Sequence, residues 1–261
     1  MIVWERFAAG NHYQLRKAGQ SIRLYRNQVF HSQYNGARLL NGGVWDMLWL
    51  PLFFRPPQSI KKVLVLGVGA GAAIKKLSEH IDADKIVGID IDKVHIGVAK
   101  KFVGLNAKQA PEVSLHHADA IEWLADDNRA NKKQSNKAGF DLIIDDLFYE
   151  QKGEPMRAVS FASNKQAWLK ELKRALAPKG ILVANCVSRA EGQSLVSGHK
   201  QSLPGSFEFA YQLRSPNFDN SFCVASRQML TIKDWRNHLQ SALGTSSVKR
   251  AEDAIKFKRL A

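Results

Sequence analysis

Short segments centred on Val, Ile and Leu recur through the middle of the chain at residues 63–66, 85–90, 112–116, 140–145 and 181–187. The run 63–66 is unbroken and aliphatic, the pattern of a parallel strand buried on both faces, and the others read as further short strands. Stretches with a helical period lie between them. Ile74 and Leu77 oppose Lys75, Lys76 and Glu79, while Val94, Val98 and Phe102 recur from residue 93 to 102. Trp168, Leu169 and Leu172 do the same within 163–176. Strands alternating with helices predict an α/β fold, a doubly wound Rossmann-like sheet of mostly parallel strands. Residues 207–213 and 221–226 flank the polar segment 214–220 and predict a C-terminal antiparallel hairpin.

Outside that core the pattern changes. Residues 13–17 and 21–30 alternate around Ala18-Gly19-Gln20 and predict a small N-terminal β-hairpin. A hairpin alone is marginal, so it is expected to pack on the main domain or on a second copy. The apolar stretch 44–54 reads as a core helix ending at Pro51, with Arg55-Pro56-Pro57 as a linker. The segment 126–139 is polar and aperiodic, as expected of a mobile surface loop. From Thr231 the chain reads as helical and basic, docking through Trp235 and Leu239. Three parts follow: 1–57, the nucleoside-binding catalytic core 58–230, and the extension 231–261.

Composition narrows this little. The chain has 261 residues, 45% of them hydrophobic, enough for a core that needs no staples. Cys186 and Cys223 match neither a zinc site nor a disulfide framework, and no secretory leader or membrane-length apolar run is evident. A cytoplasmic protein without a metal is therefore expected. The formal charge of +14 draws anionic partners, nucleic acid among them. Its lysines and arginines are scattered without interleaved aromatics, so a solvated basic surface is preferred.

The chemistry concentrates at strand ends. Residues 63–66 run into Gly67-Val68-Gly69-Ala70-Gly71, and the next strand closes on Asp90. Glycines admit positive φ and let a ligand approach the backbone. A carboxylate one βαβ unit later can accept the hydroxyls of a ribose. A nicotinamide or flavin fingerprint and a ligand-free tight turn remain alternatives. Asp119 and the Asp145-Asp146 pair end the next two strands, so the acids are expected to converge on one crevice. Each has a structural alternative: Asp90 and Asp119 can cap the helices that follow them. Asp145 and Asp146 point to opposite faces, Asp145 being assigned the structural one. His116 and His117 read as structural, and Trp45 and Trp49 as core or interface.

The runs VLVLGVGAGA, GIDID, HHADAIEWL, FDLIIDDLF and LKRALAPKGILVANCV resemble the spermidine synthase family and, more widely, class I S-adenosylmethionine-dependent methyltransferases. The likeness covers residues 60–226. It implies that Gly67, Gly69 and Gly71 cradle the methionine-like tail and that Asp90 holds the ribose, with Ile91 against adenine. It implies further that Asp119 accepts from the adenine amino group beside Ala120, and that Asp146 is the catalytic base. Tyr149 stands where the family's D-x-x-D element has its second acid, and Ala70 where its glycine turn has an aspartate. A dication is costly to bury without carboxylates. The expectation is therefore methyl transfer from intact S-adenosylmethionine to a small-molecule acceptor, with Tyr149 orienting it. Aminopropyl transfer from decarboxylated S-adenosylmethionine to putrescine is the alternative, and a catalytically silent nucleoside- or nucleic-acid-binding protein the third. A homodimer through the hairpin and the Trp-rich helix is also expected.

Overall fold

The computed structural model describes residues 1–105, 111–133, 139–151, 154–159, 165–197 and 207–260. The chain opens with four antiparallel strands in sequential order, β1 (Ile2–Ala8), β2 (Asn11–Ala18), β3 (Ser21–Arg26) and β4 (Val29–Asn35). The expected hairpin is β2–β3, closed by Gly19-Gln20 with Gly19 at φ +58°. The strands on either side were not legible because they form the sheet edges. β1 is exposed along most of its length, and β4 carries a register shift opposite β3. An edge strand needs no apolar period.

Helix α1 (Val44–Trp49) runs into a 3-10 turn, Leu50–Phe54, begun with Pro51 in its first two positions. Trp49 and Phe53 are fully buried beneath the main sheet. The alternating core follows as β5 (Lys62–Leu66), α2 (Ala72–His80), β6 (Lys85–Asp90), α3 (Lys93–Phe102) and β7 (Glu112–His117). It continues through α4 (Ala120–Lys133), β8 (Phe140–Asp145), a hairpin of β9 (Phe148–Gln151) and β10 (Glu154–Arg157), α5 (Lys165–Ala175) and β11 (Leu176–Cys186). Then come α6 (Arg189–Ser197), β12 (Phe209–Arg214), β13 (Ser221–Ser226), α7 (Ile232–Leu243), α8 (Thr245–Ala254) and β14 (Lys256–Arg259).

The eight-stranded sheet has the order β14-β12-β13-β11-β8-β5-β6-β7. Its strands β11, β8, β5, β6 and β7 are mutually parallel, and β13, β12 and β14 add on antiparallel. Alternate residues of each parallel strand feed opposite cores. Val63 and Val65 join Trp49, Ile74 and Trp235 on one face, while Leu64 and Leu66 join Leu124, Trp168 and Leu172 on the other. Each such side chain contributes about 1.5–3 kcal/mol by leaving water.

Two segments differ from expectation. The polar stretch from residue 126 continues α4 to Lys133, and only residues 134–138 of the expected loop lie outside the described residues. The chain after Thr231 is helical only to Ala254. Its last strand pairs with β12, and Phe257 packs edge-on to Trp235 with ring centroids 4.8 Å apart. Trp235 and Leu239 are fully buried, and Trp235 Nε1 donates to Leu50 O at 3.0 Å. No helix among the described residues is long and apolar enough to cross a membrane.

Candidate active site

Strand order reverses at β5, with β6 on one side and β8 on the other, so the carboxyl ends of these strands form the crevice edge of an open α/β sheet. Backbone hydrogen bonds stitch the ends together. Gly67 N donates to Ile89 O at 2.9 Å, Asp146 N to Leu66 O at 2.8 Å and Ala118 N to Asp90 O at 3.0 Å.

The glycines of the turn all have positive φ, but what they approach is protein. A Cβ on Gly67 would lie 2.2 Å from Asp146 O, and one on Gly71 2.4 Å from Leu105 Cδ1. One on Gly69 would lie 3.4 Å from His31 O and 3.5 Å from the Ser32 Cβ of β4. Gly71, the N-cap of α2, thus faces the α3 packing rather than the mouth. Ala70 is buried against Leu15, Leu24 and Val98, which fastens the N-terminal sheet to the turn.

Asp90 braces the same turn. Its Oδ2 accepts from Val68 N and Gly69 N, each at 2.9 Å, and its Oδ1 from Asp92 N at 2.8 Å. Burial alone would raise this carboxyl, but His95, with Nδ1 at 3.4 Å, and the backbone donors outweigh it and hold it low. Asp92 caps α3 through Val94 N at 2.8 Å and accepts from Tyr13 OH at 2.7 Å. Ile91 is 70% exposed beside the crevice, with His117 Nε2 3.1 Å from its carbonyl oxygen. Asp119 Oδ1 caps α4 through Ile121 N at 2.7 Å and Glu122 N at 3.3 Å. Its Oδ2 has no hydrogen bond among the described residues, and Ala120 beside it is buried.

The adjacent acids separate as their register predicts. Asp145 is fully buried, with Oδ2 accepting from Arg157 Nη2 at 2.8 Å and Trp168 Nε1 at 2.9 Å. Asp146 turns to the crevice, where its Oδ1 accepts from Asn185 Nδ2 at 2.8 Å, and Asn185 Oδ1 accepts from Asn220 Nδ2 at 3.0 Å. Burial pushes the Asp146 carboxyl up to about 7, against the opposing pull of the Asn185 hydrogen bond and of Arg157. Tyr149 is 43% exposed on β9, opposite Met156 of β10.

Gly69 is therefore hydrogen-bonded to Asp90, Gly67 abuts the Asp146 carbonyl, and Ile91 and Asp119 follow at the ends of β6 and β7. Gly71 stands apart, and Tyr149 sits on the neighbouring hairpin. Sequence reasoning missed Asn185, Asn220 and Arg157. A signal for the first existed: Asn185 is a polar residue inside the apolar run ILVANCV, and buried polar groups carry more information than buried apolar ones.

The parts suit an adenosyl group. Ile91, which is exposed, and Asp119 follow the ends of the neighbouring strands β6 and β7, and Asp90 Oδ1 carries a single described donor.

The strand order and the crevice edge define a Rossmann-like α/β core. More narrowly, the chain belongs to the spermine/spermidine synthase domain family, which matches residues 46–213. It is 33% identical over 130 residues to the spermine synthase of Arabidopsis thaliana, covering 48% of this chain and 32% of that one. To spermidine synthase 2 of Hyoscyamus niger it is 27% identical over 209 residues, covering 76% and 62%. To the human eEF1A lysine and N-terminal methyltransferase it is 26% identical over 144 residues, covering 54% and 20%. The chain thus spans less than two thirds of each of these relatives. Among solved structures, a probable spermidine synthase from Corynebacterium glutamicum superposes with a TM-score of 0.67 at 15% identity, covering 99% and 91%. Human methyltransferase-like protein 13 in complex with SAH does so at 0.62 and 21%, covering 78% and 91%. These two likenesses establish the fold.

Proposed function

We propose that this protein transfers an alkyl group from an adenosyl sulfonium to a small-molecule amine. The aminopropyl version, from decarboxylated S-adenosylmethionine to a diamine such as putrescine, is favoured by its relatives over the methyl transfer expected from sequence. The observation that carries the reading is Asp146: a family-position carboxylate with one uncommitted oxygen, titrating near neutrality where three strand ends meet.

In this reading Gly67 and Gly69 bring the turn against the sulfur-bearing chain, Asp90 holds the ribose through Oδ1, and Ile91 and Asp119 hold the adenine. When bound, such a cofactor supplies a carbon already activated by its sulfonium. The protein then has two tasks, aligning the amine and receiving its proton. Asp146 Oδ2 takes that proton. Asn185, itself held by Asn220, fixes the carboxylate plane so that Oδ2 faces the acceptor. Tyr149 borders the acceptor's path.

Methyl transfer stays as a second reading on one observation: Ala70, at the position of a family acid, is packed into apolar contacts and contributes no charge to the mouth. Incubation with putrescine and either cofactor separates the two. Methylthioadenosine plus a lengthened polyamine, from the decarboxylated cofactor only, supports the first. S-adenosylhomocysteine plus a methylated product supports the second. Neither product from any amine acceptor would overturn both.

A further inference from the structure

Arg157 lies at the end of β10 and is not part of the glycine turn, the acid set or any motif in the sequence, yet it is among the most thoroughly enclosed charges in the molecule. Its side chain is 2% exposed and paired with Asp145, which is fully buried. Nη2 donates to Asp145 Oδ2 at 2.8 Å, Nη1 to the Asn185 carbonyl oxygen, and Nε to Val159 O at 3.3 Å. Glu191 Oε1 of α6 lies 3.4 Å from Nε, and the guanidinium carbon sits 5.7 Å from the centroid of the Phe148 ring. A single planar fork therefore gathers the end of β8, the end of β11, the start of α6 and both strands of the β9–β10 hairpin.

The arrangement around Asp146 gives this gathering a consequence. Asp146 has Asp145 as its chain neighbour and Asn185 as its side-chain donor, and Arg157 binds one of these through its carboxylate and the other through its carbonyl. The hairpin closes on the same region, with Ala158 N donating to Leu147 O at 2.9 Å. Phe148 and Tyr149 leave the crevice two and three residues after Asp146. We propose that Arg157 is a positioning residue that sets the Asp146 carboxylate and the Tyr149 hairpin as one unit, so that the base is correctly placed only when the hairpin is seated. This rests on Asp146 being the base, but the coupling itself is a property of the chain.

The geometry favours arginine over lysine, because a point charge cannot hold a carboxylate and a carbonyl from one rigid plane. Electrostatics points the same way. The groups facing Asp146 are Asn185 and Arg157, which lower its pKa, and Asp145 and Asp90, which raise it. Loss of the guanidinium leaves the Asn185 hydrogen bond alone against the two acids.

The test compares Arg157→Lys, Glu191→Gln and the paired replacement Asp145→Leu with Arg157→Met. In the last, neither half of the buried Arg157–Asp145 pair remains, and Glu191 loses the cation but keeps the hydrogen bond from Val187 N at the rim, so the fold is expected to hold. Carboxyl carbon NMR follows the Asp146 titration, with Asp146→Asn assigning the signal, and limited proteolysis follows the hairpin. The expected result is faster cleavage between residues 148 and 157 in the Arg157→Lys and paired variants, with the Asp146 midpoint raised by half a unit or more in Arg157→Lys and by less in the paired variant, where losing Asp145 offsets losing Arg157. Glu191→Gln, which removes only the outer partner, is expected to shift the midpoint less. On a competent acceptor kcat falls tenfold or more, while cofactor affinity stays within twofold. An unmoved midpoint and unchanged cleavage in folded Arg157→Lys and paired variants would overturn the coupling. Because titration and proteolysis need no acceptor, a failed transferase reading leaves this result decidable.

Discussion

A carboxylate that titrates near neutrality is a different reagent from one that is always charged, and Asp146 is of the first kind. Its burial raises it to about 7, so the basic form grows tenfold per pH unit below that value and saturates above it. If it receives the acceptor's proton, kcat/KM should climb with unit slope to a plateau near neutrality, unless a second group titrates later. Asn185→Ala removes a hydrogen bond that opposes the shift, so the limb should move to higher pH in an enzyme that still gives a folded circular dichroism spectrum. Asp146→Asn should abolish turnover and leave cofactor affinity within twofold; turnover equal to the parent would remove Asp146 from the chemistry. The same group also makes a stability prediction. An aspartate of ordinary pKa, about 4 in the unfolded chain, binds its proton more tightly when folded, so its contribution is present at low pH and is lost as pH rises through about 7. Asp146→Asn should therefore melt a few degrees above the parent at pH 8 and at the same temperature at pH 4.

Elements carry constraints that single residues do not reveal. Gly67 holds φ +89° because the Asp146 carbonyl occupies the space where a side chain would begin. Gly67→Ala should cost about 2–4 kcal/mol in urea unfolding, from the left-handed backbone and the displaced carbonyl together. It should also lower turnover in the fraction that folds, since the carbonyl that moves belongs to the base. An alanine variant as stable as the parent would mean the turn relaxes freely. This βαβ unit was legible because its signals are local: an apolar run, glycines, an amphipathic helix and a terminal acid lie within thirty-odd residues. Asn185 was not legible because its meaning comes from β11 pairing beside β8, a contact between residues thirty-nine positions apart in the chain. The β9–β10 hairpin and β14 were missed because four-residue strands give no period to read. The continuation of α4 was hidden by its chemistry. Its contact with α5 is made by Asn128, whose Nδ2 donates to Glu171 Oε2 at 2.7 Å, where a pattern reader expects a leucine.

At the scale of the whole molecule the open question is how the N-terminal sheet and the crevice constrain each other. The sheet is seated by Tyr13 OH on Asp92, by His31 and Ser32 against Gly69, and by Leu15 and Leu24 against Ala70. An alanine at position 70 thus has a packing reason quite apart from the ligand: a larger or charged side chain would have to displace that sheet or turn into the mouth. Ala70→Asp distinguishes the two. If the side chain keeps the direction of Ala70, an unpaired carboxylate enters an apolar contact and stability falls by about 3 kcal/mol. The fall should be largest at pH 8 and shrink toward pH 5, because a desolvated acid has a raised pKa and escapes part of the cost by protonating. Cofactor preference would then be unchanged, and protease would attack the residues joining β4 to α1 more readily. If instead the carboxylate turns into the crevice, urea midpoints at pH 8 stay near the parent and affinity shifts from S-adenosylmethionine toward its decarboxylated form, which lacks the carboxylate that the new acid would repel. The first outcome makes the seat of the N-terminal sheet the reason this chain carries no acid in its glycine turn. The second makes that absence a matter of ligand choice alone.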